Sequence, residues 1–151
     1  MGFVIRNPAG RHAALGLPPI RPTPPYIQHK GPFMTNLVTF SDLANQPVEG
    51  FKPKPTRLTD EQVEASNPLW TSADAGVKIG LWECTPGRFT ADRSETAEYC
   101  HIISGSATVK NLSDGTSRDI TGGDLLVLPK GWLGEWVIHE HMRKLYFLSN
   151  S

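Results

Sequence analysis

From Val77 onward, short apolar-rich runs alternate with turns marked by glycine, proline and aspartate. VKIGLWEC (77–84) predicts a strand closed by Pro86-Gly87, and RFTAD (88–92) a second. EYCHII (98–103) predicts a third, ended by Ser104-Gly105, and SATVKN (106–111) a fourth. Ser113-Asp114-Gly115 carries hairpin-turn chemistry. SRDI (117–120) leads through Gly122-Gly123-Asp124 to LLVLP (125–129). Gly131 turns the chain again, GEWVI (134–138) runs out, and MRKLYFL (142–148) returns after a hairpin turn at His139-Glu140-His141. Closely spaced short strands with turn signals between them, and no sustained helical period, predict an all-β sandwich or barrel.

Upstream the pattern weakens. LVTFS (37–41) predicts a strand, and KPKPTRL (52–58) an extended segment whose two prolines suit a sheet edge. Asp60–Glu64 predicts a single helical turn capped by Thr59. Residues 1–33 hold seven of the 13 prolines and no acidic residue. Proline at that density blocks helix and sheet ladders alike, so this segment is expected to be an extended, weakly ordered arm that adds little to stability. Met34 opens MTNLVTFSDL in the manner of a natural start. The arm is then either an upstream extension or a segment that packs on a partner subunit, and residues 34–151 form the single domain.

Composition narrows the classes of function. A chain of 151 residues can bury a core without disulfide staples. Its 15 basic and 15 acidic side chains leave no excess charge to grip nucleic acid or an anionic membrane. No apolar run is long enough to span a bilayer, and no signal-peptide core precedes the strands. Cys84 and Cys100 alone do not make a disulfide framework. A cytoplasmic protein is expected.

Several of the punctuating residues fall at the offsets of a known family. Gly87, then Glu98 and Gly105, match the ends of the first cupin motif; Gly123, Pro129 and Gly131 match the start of the second. Over about residues 77–148 the chain resembles the cupins. The strings LWECTPGRF, EYCHIISG, GDLLVLPKGWLGEW and MRKLYF are similar to the small single-domain cupins grouped with ureidoglycine aminohydrolase and the ethanolamine-utilisation cupin. The resemblance implies a double-stranded β-helix, a jelly-roll barrel. It usually implies a metal held by histidines and one glutamate, and here the chain departs. Counted from Gly87, the histidine positions of the first motif fall on Arg93 and Glu95. Counted back from Glu98, they fall on Asp92 and Ser94, or on Ala91 and Arg93. The histidine of the second motif falls on Gly134. Of the usual ligand positions only Glu98 is kept, and one carboxylate does not hold a first-row metal tightly. No metal or other cofactor is expected.

Strand alternation then suggests a pocket. If Glu98 points inward, as the resemblance implies, Cys100 does too. Trp136 shares the inward face of its strand, filling part of the space opened at Gly134. Arg88, Asp92, Lys144 and Tyr146 complete the candidate ligand-binding pocket, apolar with a few polar handles. Glu98 also reads as a buried acid paired with Arg143 or Lys144. Cys100 reads more simply as a packed thiol. His139 and His141 have a metal-ligand spacing on a strand but stand where a turn is expected. The leading expectation is a metal-free cupin that binds a small polar molecule. A metal-dependent aminohydrolase using Glu98 with Asp92, Glu95 or His139 and His141 is one alternative, and an accessory protein with a filled barrel is another. The resemblance and the uncovered apolar residues of segment 37–58 suggest a homodimer formed through that segment.

Overall fold

β5 (Ala97–Asn111) and β8 (Trp132–Ser149) organise the fold, because each serves both layers. The computed structural model describes residues 36–151; the arm expected over 1–33 lies outside the described residues. The other strands are β1 (Lys52–Pro53), β2 (Val63–Thr71), β3 (Val77–Cys84), β4 (Gly87–Arg93), β6 (Ser117–Thr121) and β7 (Leu125–Leu128). All pairings are antiparallel. The first half of β5 pairs with β7 and with the second half of β8, which continues through β3 and β2 to β1. The second half of β5 pairs with β6 and with the first half of β8, which pairs with β4. One hydrogen-bonded sheet thus folds over into two layers, the jelly-roll barrel that the resemblance implies.

The two long strands correct the expected boundaries. Ser104-Gly105 is not a turn between strands but a bulge within β5, where the register shifts between Ile102 and Ala107. Gly105 has φ 87°, and a Cβ there would fall on the His141 carbonyl, so only glycine allows β8 to pass this close. Nor does the chain turn at His139–His141, which lie mid-strand in β8. Glycine and serine signal a bulge and a turn with the same letters, and only the pairing separates them.

The upstream expectations are also revised. Residues 37–41 form no strand; the chain turns after Asp42 instead, with Asn45 and Gln46 donating their backbone N–H groups to its carbonyl. No helical turn forms at 60–64. Asp60 and Glu61 make a tight turn, Glu61 at φ 66°, and β2 starts at Val63. The expected extended segment reduces to β1 and a single bridge from Arg57 to Phe89.

The core joins both layers. Trp82 and Cys84 of β3, Cys100 and Ile102 of β5 and Met142 of β8 meet Phe89 of β4, Val109 of β5, and Trp136 and Ile138 of β8. Phe89 stacks on Trp136 at 5.8 Å and meets Trp82 edge-on at 6.0 Å. Each such side chain contributes about 1.5–3 kcal/mol by leaving water. Among the described residues no helix is long and apolar enough to cross a membrane.

Candidate functional site

Alternation along β5 turns Glu98, Cys100 and Ile102 into the space between the layers and leaves Tyr99 and His101 outside. On the adjoining part of β8 the inward residues are Lys144, Tyr146 and Leu148, paired with Ile102, Cys100 and Glu98 respectively. Glu98 is 3% exposed, and such a carboxylate needs cations. Lys144 supplies one, its Nζ lying 2.8 Å from Oε1. Arg93, the last residue of β4, supplies the other. Its Nε donates to Oε2 at 2.6 Å, Nη2 reaches the same oxygen, and Nη1 donates to the Asp92 carbonyl. The Lys144 ammonium also lies 4.4 Å from the Trp82 ring centroid, 4.7 Å from that of Trp136 and 3.6 Å from Cys100 Sγ.

The protonation states follow. Burial pushes the Glu98 carboxyl up, but the charges of Lys144 and Arg93 and their hydrogen bonds outweigh it and hold it at about 2. Burial works against the Lys144 ammonium; Cys100, once ionised in alkali, and the Glu98 carboxylate work for it and keep it above the ordinary lysine value. Burial pushes the Cys100 thiol up to about 12, so it stays protonated and unreactive at neutral pH.

Above this cluster lies a cavity of about 230 Å³. Its floor is Glu98, Lys144, Trp82, Phe89 and Trp136; its sides are Lys54, Glu64, Ser66, Arg93, Tyr146 and Leu148. Lys54 Nζ sits 2.5 Å from Glu64 Oε2 and 4.3 Å from the Phe89 centroid, while Trp82 Nε1 donates to the same Glu64 oxygen at 2.8 Å. A larger groove of about 430 Å³ runs along the outer surface between Thr90, Asp92, Leu112, Leu133 and Glu135. Its ionisable side chains are exposed or half-exposed and none is buried against a partner, so the chemistry points to the smaller cavity.

Glu98, Cys100, Trp136, Lys144 and Tyr146 therefore converge, Cys100 behind the wall rather than on it. Arg88 and Asp92 do not join them. Phe89, Ala91 and Arg93 are the inward residues of β4, so their neighbours face out. Arg88 pairs with Glu135 at 2.8 Å, and Asp92 accepts from the Ser94 N–H at 2.7 Å. Arg93, Lys54, Glu64, Ser66, Trp82 and Phe89 were missed. Arg93 carried a signal, since it stands at a histidine position counted from Gly87. Lys54 and Glu64 carried none, because only tertiary pairing brings them here.

The space at Gly134 is also filled differently. A Cβ there would fall inside the Trp132 indole, so Trp132, not Trp136, covers the position. Trp132 Nε1 donates to Asn111 Oδ1 at 2.8 Å.

These residues do not fit a metal ion. Both Glu98 oxygens are taken by cations on the chain itself. Asp92 and Glu95 are exposed. His139 bonds Thr108 Oγ1 and His141 bonds Glu83 Oε2, each at 2.8 Å. Among the described residues no group of three or more His, Cys, Asp or Glu side chains is placed to share an ion.

Comparison with known proteins bears on the fold and family. No curated protein matches the chain. Among solved structures, it is similar to the EutQ protein of Clostridium difficile (TM-score 0.56, 18% identity, covering 72% of this chain and 84% of that one). It is similar to a putative ethanolamine utilization protein Q from Salmonella typhimurium (0.51, 20%, 58% and 70%). It is also similar to ectoine synthase from P. lautus (0.53, 15%, 63% and 69%). At these identities the likeness is one of fold. Residues 71–146 match the family model of the EutQ-like cupin domain, which takes in the inward faces of β3, β4, β5 and most of β8, and the chain belongs to that family.

Proposed function

We propose that the chain binds a small polar molecule in the 230 Å³ cavity and does so without a transition metal. The observation that carries this reading is the state of Glu98. The one usual ligand position that is kept is buried and neutralised by Lys144 and Arg93, yet a cavity remains above it instead of a filled barrel. A half-enclosed space with aromatic walls and a few fixed polar groups is the usual form of a small-ligand site. Protein purified without chelator is expected to carry far less than one equivalent of any first-row transition metal. Glu98→Gln should leave that content unchanged. Elemental analysis with native mass spectrometry checks both. Stoichiometric zinc, manganese, iron or nickel, lost on changing Glu98 or His139 and His141, would restore the hydrolase alternative.

We also infer a homodimer. Segment 38–58 keeps Val38, Phe40, Phe51 and Leu58 exposed. Beside them, on the outer face of the first layer, a row of directly paired residues crosses five strands: Trp70, Ile79, Phe147, Tyr99 and Val127. Trp70, Tyr99 and Val127 of this row are exposed, and a contiguous exposed apolar face suits association with a second copy. Light scattering at micromolar concentration should give twice the chain mass, and Val127→Lys should shift the population toward monomer. A monomeric unmodified protein would remove the proposal.

A further inference from the structure

We infer that the ligand of this cavity is a small monoanion of the carboxylate type, its head accepting hydrogen bonds from Arg93. This rests on the cavity being a ligand site, and it deepens that reading by fixing the sign of the ligand's charge. The first argument is a charge count. Lys54, Arg93 and Lys144 face the cavity with three positive charges, and Glu64 and Glu98 with two negative ones. One unit of positive charge is left over in a space partly withdrawn from water, where it acts strongly.

The second argument concerns the aromatic walls. Ring faces attract cations, but here they are already used. Lys54 lies over Phe89 and, at 5.5 Å, over Trp82; Lys144 lies over Trp82 and Trp136. A cationic ligand would meet two ammonium groups where it needs an open ring.

The third argument is the balance of unspent hydrogen-bonding groups. Arg93 has five N–H donors and commits three, two to Glu98 and one to the Asp92 carbonyl. Lys54 commits one of three, to Glu64. Among the described residues the hydroxyls of Tyr146 and Ser66 have no protein partner. Against these spare donors stands a single unengaged carboxylate oxygen, Glu64 Oε1. Arg93 is the natural anchor, because its side chain is the most open of the three cations, at 25% exposure, and its planar fork suits a carboxylate. At about 230 Å³ the cavity lies below the usual range of drug-sized ligand sites, which limits the ligand to a small acid.

Three near-isosteric probes separate the possibilities on the unmodified protein: propionate, propionamide and propylamine, each titrated while the Trp82 indole N–H resonance is followed. Propionate should shift it saturably, propionamide should bind at least about tenfold more weakly, and propylamine should not bind. Arg93→Gln should weaken propionate at least about tenfold and propionamide little, while Arg93→Lys should recover part of the loss. Equal or tighter binding of propionamide, or any preference for propylamine, overturns the inference. So does unchanged propionate affinity in folded Arg93→Gln. If none of the three binds but an uncharged metabolite from a mixed library perturbs the same resonance, the charge assignment falls and the small-ligand reading stands. If no library member perturbs it, both fall.

Discussion

Lys144→Met is expected to destabilise the protein by about 3–5 kcal/mol, the range for removing one partner of a buried ion pair. Lys144 is 4% exposed and Glu98 3%, so water in the cavity replaces the lost ammonium only in part. Arg93 still touches one carboxylate oxygen, but Oε1 is left without a donor. For a domain of this size the melting temperature should fall by roughly 10–20 °C. The double change Lys144→Met with Glu98→Leu should recover most of that loss, because much of the penalty belongs to the stranded charge and Arg93 is open enough to turn to solvent. Thermal melts of the two single variants and the double form the cycle. A Lys144→Met protein that melts within a few degrees of the unmodified one would show that the pair is not closed.

Acid should unfold the protein largely through Glu98. Its carboxyl titrates at about 2 in the folded chain against an ordinary 4.5, so folding favours the ionised form. The stability this provides is complete above about pH 5 and is lost as pH falls through the interval down to 2. Over that interval it amounts to about 3 kcal/mol. Asp74, Asp92 and Asp114 also lie below the usual range. Hydrogen bonds from Ser72 and Gly76 lower the first, from Ser94 the second and from Thr116 the third. They are fully exposed, and they are unchanged in Glu98→Gln. The difference between the two proteins therefore isolates Glu98. Glu98→Gln should be less stable at pH 7, and the gap should narrow steadily between pH 5 and 2. Denaturant melts at successive pH values measure it; a constant gap would mean that Glu98 is not held ionised. Lys144 acts at the other end, where its raised value contributes stability that disappears only under strong alkali.

Most of the strands were legible because their apolar runs alternate and their turns are marked. β2 was not: Asn67 and Pro68 interrupt VEASNPLWT, and its strand character comes from pairing with β3. The joined halves of β5 and β8 were not legible either, because a bulge needs the same small residues as a turn. The site divided along similar lines. Glu98 marked the inward face of β5, and alternation carried that face to Cys100. On β4, Arg88 and Asp92 were expected inward where Phe89 and Arg93 are. Phe89 would have corrected the parity, since a large apolar residue on a half-buried strand defines its core face better than a neighbouring charge. Lys54 and Glu64 come from a segment with no periodicity at all, so nothing local announced them.

The pairing of Glu98 with Lys144 has a consequence for how the protein depends on its surroundings. A metal bound at such a position stabilises a fold by mass action, so its contribution varies with the free ion, falls under chelation and vanishes on starvation. A counter-ion carried on β8 is present once per molecule at any dilution. It cannot be scavenged, exchanged for a competing ion or removed by dialysis. On the proposed metal-free reading, the barrel keeps its stability through changes in metal supply, and it gives up in return the open coordination position through which a bound metal performs chemistry.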